Sequence, residues 1–83
     1  MNPKVTTPLE MKLDHAQLNE AIEMFEAELL SQSKGRKTYY LRIFKTLDYS
    51  VLNEIEEIYE HNGWCSVVCH SDDDSTLLTL NVT

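Results

Sequence analysis

Apolar residues recur along this chain with two different periods. Leu18, Ile22, Phe25 and Leu29 follow one another at steps of four, three and four. Ala21 widens that stripe, and Met11 extends it backward by one heptad. Such a stripe predicts an α-helix with one buried face. Two starts fit it. Thr7-Pro8-Leu9-Glu10 supplies a capping oxygen, proline at the first helical position and an acid three residues after the cap. Asp14-His15-Ala16-Gln17 offers a second box further on. Gly35 is the expected terminator. A helix from Pro8 would run roughly 39 Å, longer than the roughly 30 Å diameter of a domain this size. Its overhanging stripe would need a partner.

The period then changes. Lys37 to Lys45 holds Thr38, Tyr39, Tyr40, Ile43 and Phe44, which favour a strand. Val51, Leu52, Ile55, Ile58 and Tyr59 mark a second helix, from Asp48 or Ser50 to Asn62. Leu47 is placed to staple onto Leu52, and Gly63 ends the helix. Trp64–His70 and Thr76–Val82 read as two strands joined by the tight turn Ser71-Asp72-Asp73-Asp74-Ser75. The order α-β-α-β-β predicts an α+β two-layer sandwich: a three-stranded mixed sheet with both helices on one face. The third strand fits either the middle or an edge. Residues 8–83 form the single domain, and residues 1–7 a flexible N-terminal arm.

Alternation assigns the two faces of the sheet. Tyr39, Leu41, Ile43, Cys65, Val67, Cys69, Leu78, Leu80 and Val82 are almost wholly apolar and belong under the helices. Tyr40, Arg42, Phe44, Trp64, Ser66, Val68, His70, Leu77, Thr79 and Asn81 form the other face. Two helices on one side leave this mixed, aromatic face bare. Aromatic residues with arginine are enriched at protein interfaces, and contiguous exposed apolar patches mark contact sites. The expected contact residues are Tyr40, Arg42, Phe44, Trp64 and Val68, joined by Met11 and His15 if the first helix is long. The expected partner is a protein, first of all a second copy in a dimer.

Charge changes the picture in one respect. Seven Lys and Arg face fourteen Asp and Glu, a net charge of −7. That excludes a conventional nucleic-acid binder. Glu20, Glu23 and Glu26 repeat on the first helix, and Glu54, Glu57 and Glu60 on the second. Three helical residues rise about 4.5 Å, near the 3.4 Å spacing of phosphates along one DNA strand. An acidic DNA-mimic inhibitor of a host protein, of the anti-restriction, anti-CRISPR or polymerase-regulating kind, is therefore the alternative function. Solvation of two amphipathic helices explains the same residues. Most of the cations, Lys34, Arg36, Lys37, Arg42 and Lys45, cluster in one segment, placed to complement an acidic helix in this chain or in a copy.

Motifs for chemistry are missing. Cys65 and Cys69 with His61 and His70 suggest zinc, but four residues along a strand span about 13 Å, and ligands must lie about 2.3 Å from the ion. The same span forbids a disulfide between them. Both cysteines read as small core residues, and free thiols suit a reducing cytoplasm. An EF-hand loop opened at Asp72 would need glycine at Leu77 and glutamate at Thr83. No nucleophile elbow or phosphate-binding glycine loop occurs. The chain is expected to be non-catalytic, with no cofactor and no metal. No apolar run is long enough to span a membrane, and the first residues have no signal-peptide core. In general style, a short acidic domain with free cysteines and no catalytic signature, the chain resembles bacteriophage accessory proteins.

Overall fold

The computed structural model describes residues 15–83 of the chain. The arm expected over residues 1–7, the start of the first helix and Met11 lie outside the described residues. The elements follow the expected order: α1 (His15–Leu30), β1 (Thr38–Ile43), α2 (Tyr49–His61), β2 (Cys65–Ser71) and β3 (Thr76–Asn81).

Helix α1 buries Leu18, Ala21 and Phe25. It ends at Leu30, before Gly35 is reached. The Ser31 N–H is shared between the carbonyls of Ala27 and Glu28, and the Ser31 hydroxyl donates to the Glu28 carbonyl at 2.6 Å. This tightens the last turn and closes it. Gly35, at φ +91°, serves the loop that follows. That loop is pinned by Tyr39, whose hydroxyl accepts from the Arg36 N–H and donates to the Ser33 carbonyl.

Asp48 caps α2 through its carbonyl, which accepts from the N–H groups of Val51 and Leu52. Leu47 and Leu52, the expected staple pair, are both buried in the core. At the far end Gly63 has φ +101°. Its N–H bonds the Glu60 carbonyl, and the Trp64 N–H bonds the Tyr59 carbonyl. This is the Schellman pattern, and glycine supplies the left-handed residue it needs.

The sheet order is β1-β3-β2, and both pairings are antiparallel. The mixed sheet expected from the crossover therefore becomes an antiparallel one. β1 and β2 run the same way but never touch, because β3 lies between them. β3 is the natural centre, since Thr76, Leu78 and Leu80 are fully buried on its inner side. Both helices cover one face, α1 over β1 and α2 over β2. Phe25, Leu41, Val51, Ile55, Leu78 and Leu80 form the fully buried centre between the layers.

Candidate functional site

The strand registers define the face that neither α1 nor α2 covers as three rows. Thr38, Asn81 and Cys65 lie side by side, then Tyr40, Thr79 and Val68, then Arg42, Leu77 and His70. Partners across an antiparallel ladder point to the same side. Tyr40 is 64% exposed, Val68 54%, and Phe44, just past the end of β1, 83%. Asn81 ties the first row together: its Oδ1 accepts from the Thr38 hydroxyl at 2.7 Å, and its Nδ2 donates to the Ser66 carbonyl at 3.2 Å.

Trp64 is not on this face. The register shifts between Cys65 and Val68, so three steps along β2 oppose two along β3. Ser66 is the residue in the left-handed region, at φ +48°. A bulge of this kind reverses the alternation of everything before it. Cys65 therefore turns outward and is exposed, whereas straight alternation puts it in the core. Trp64 turns inward and packs against the core, its ring edge-on to Tyr39 with centroids 5.9 Å apart. The bare face thus loses Trp64 and gains Cys65. Of the five expected contact residues, Tyr40, Arg42, Phe44 and Val68 are grouped on or beside it. His15 is exposed near the start of α1, away from the face. Cys65 was missed because nothing in the local sequence marks the bulge: Ser66 is not the glycine that usually signals one.

The hairpin tip closes one end of the face. Asp72 Oδ1 accepts the N–H groups of Asp74 and Ser75 at 3.0 and 2.9 Å and the Ser75 hydroxyl at 3.3 Å. Those backbone bonds, helped by the Ser75 hydroxyl and the nearby Arg42 charge, hold its carboxyl below the usual aspartate range. The aspartates serve the turn, with Arg42 and Phe44 across a shallow recess from them.

One backbone group on each sheet edge is filled by a side chain. Gln32 Nε2 donates to the Tyr40 carbonyl on the free side of β1 at 3.0 Å. Glu56 Oε2 accepts the Cys69 N–H on the free side of β2 at 2.9 Å. Filling edge groups in this way discourages edge-to-edge pairing. Burial, with the Glu56 charge adding to it, pushes the Cys69 thiol up to about 12.

The acidic residues do not act as one row. Glu20 Oε1 lies 2.8 Å from Lys45 Nζ, so one cation of the basic segment complements a helix of its own chain. Glu26 accepts the Tyr59 hydroxyl at 2.8 Å and ties α1 to α2. Burial and this carboxylate raise the Tyr59 pKa above its ordinary value. Glu23, Glu57 and Glu60 are exposed, and Glu54 is half-buried.

Among the described residues no group of three His, Cys, Asp or Glu is placed to hold a metal ion, and no helix is long and apolar enough to cross a membrane. A cleft of about 180 Å³ beside Leu29, Leu30, Tyr39 and Trp64 is small for a ligand site. No family model, curated protein or solved structure matches the chain.

Proposed function

We propose that this chain is a non-catalytic protein-contact and self-association domain working through the bare face of its sheet. One observation carries the reading: Tyr40, Phe44 and Val68 are all more than half exposed on the side that neither α1 nor α2 covers. A folded chain gains nothing by holding such groups in water, whereas burying each against a partner contributes about 1.5–3 kcal/mol. The filled group on each edge strand disfavours strand addition there. Sedimentation velocity across micromolar concentrations tests the reading. The wild type is expected to self-associate, and Tyr40→Ser with Phe44→Ser to remain monomeric with an unchanged circular-dichroism spectrum. A wild type that stays monomeric throughout would refute self-association.

A further inference from the structure

We infer that the outer edge of β1 seats the chain's own N-terminal segment, residues 5–11, as a fourth strand parallel to β1. The segment lies outside the described residues, and the inference stands apart from the contact reading above.

The segment has the period of a strand. Val5, Thr7, Leu9, Met11 and Leu13 alternate with Lys4, Thr6, Pro8, Glu10 and Lys12. One pleat face is therefore apolar or β-branched and the other polar. A helix divides the same residues: a step of two turns it by about 200°, so Met11 stands opposite Leu9 and Leu13.

The course of the chain then names the edge. Glu20 pairs with Lys45, and Gln32 reaches the Tyr40 carbonyl, so α1 runs antiparallel to β1. His15, five residues before Glu20, stands about 7.5 Å past the level of Lys45, or about two strand residues. A strand that leads into α1 from the sheet layer ends there, and beside β1 it runs parallel to β1. Both helices lie on one face, α1 over β1 and α2 over β2. Crossing from such a strand to β1 through α1 goes the same way over the sheet as crossing from β1 to β2 through α2. The two crossovers share one hand, as the rule for parallel connections requires.

The edge has bonding groups and room. The Val82 N–H donates to the Lys37 carbonyl. Odd-numbered residues of β1 therefore bond β3, and Thr38, Tyr40 and Arg42 direct their backbone groups outward. Between this edge and α1 lies a recess lined by Met24, Ala27, Glu28, Arg42, Ile43 and Phe44. With Leu13 and Asp14 as the link, a usual length for such a loop, Leu9 falls beside Ile43 at the recess and Thr7 beside Leu41. In this register the odd residues of the segment turn their backbone groups to β1. Pro8, which has no N–H to offer, turns its nitrogen to solvent, as an edge strand allows. Gln32 guards the Tyr40 carbonyl against strands of other molecules. A strand tied to α1 arrives at an effective concentration on the order of millimolar and displaces that amide.

Amide hydrogen exchange of the full chain, read residue by residue by nuclear magnetic resonance, tests the inference. The N–H groups of Val5, Thr7 and Leu9, and those of Tyr40 and Arg42, are expected to exchange roughly tenfold more slowly than those of Thr6 and Glu10. Thr7→Pro removes a donor aimed at β1 and is expected to speed exchange of the Arg42 N–H roughly tenfold. Thr6→Pro, on the solvent side, is expected to change it less than about twofold. Slow exchange at Leu78 and Leu80 verifies that each variant stays folded. Slow exchange at consecutive residues up to His15 would show a longer α1, and uniformly fast exchange an unattached segment. Either result, or equal effects of the two prolines, would overturn the inference.

Discussion

Ser66→Gly is expected to stabilise the protein, although glycine inside a strand usually weakens it. At φ +48° Ser66 sits in the left-handed region, where crowding of Cβ by the following carbonyl costs an L-residue about 1–2 kcal/mol. Glycine removes that cost and adds about 0.5–1 kcal/mol of backbone entropy to be lost on folding. The difference is a net gain of about 0.5–1 kcal/mol. With a urea slope near the low end for small domains, about 1 kcal/mol per molar, the unfolding midpoint rises by about 0.5–1 M. Ser66→Val should move it the other way, because a β-branched side chain tolerates this region worst. Trp64 fluorescence follows both transitions, since the bulge holds its ring against Tyr39. A glycine variant less stable than wild type, together with a neutral valine variant, would refute the left-handed bulge and the side-swap of Trp64 and Cys65 that rests on it.

Four further outcomes follow from the packing. Phe25→Ala removes a fully buried ring and is expected to cost about 3–5 kcal/mol, so at about 1 kcal/mol per molar its urea midpoint should fall by about 3–5 M, or to zero if the wild type is no more stable than that. In thiol titration near neutral pH, Cys65 is expected to react in the native protein and Cys69 only after unfolding. The folded Cys69 pKa lies above its unfolded value, so the stability linked to it is complete below pH 9.0 and is lost as pH rises from there towards about 12; Tyr59, also raised, acts in the same direction, and urea midpoints measured from neutral to alkaline pH check the fall. Glu56→Ala frees the Cys69 N–H on the β2 edge and is expected to increase light scattering on prolonged incubation, an effect that Glu56→Gln, which keeps an acceptor, should largely avoid.

The element order was legible in the residues because each element carries its own local signal. The stripe Leu18, Ala21, Phe25 and the stripe Val51, Leu52, Ile55, Tyr59 are buried as their periods require. Gly63 terminates α2 by the conformation only glycine adopts cheaply. The two-layer arrangement, with one face of the sheet bare, follows from two apolar stripes and one almost wholly apolar strand face. The identities of Tyr40, Arg42, Phe44 and Val68 on the bare side follow from pleat alternation alone, which holds wherever the pairing is regular.

What lay beyond the residues depended on partners distant along the chain. Alternation is a rule about pairing, and the extra step at Ser66 becomes visible only once β2 is laid against β3. That one step moved Trp64 into the core and Cys65 into water. Strand order likewise turned on which strand could be buried on the most sides, a competition among all three that no single segment expresses. Period and turn chemistry act over a few residues and so are written locally. Register, edge capping and the use of Glu20, Glu26 and Glu56 as ties between elements are settled by contacts between segments, and exist only when the layers have closed.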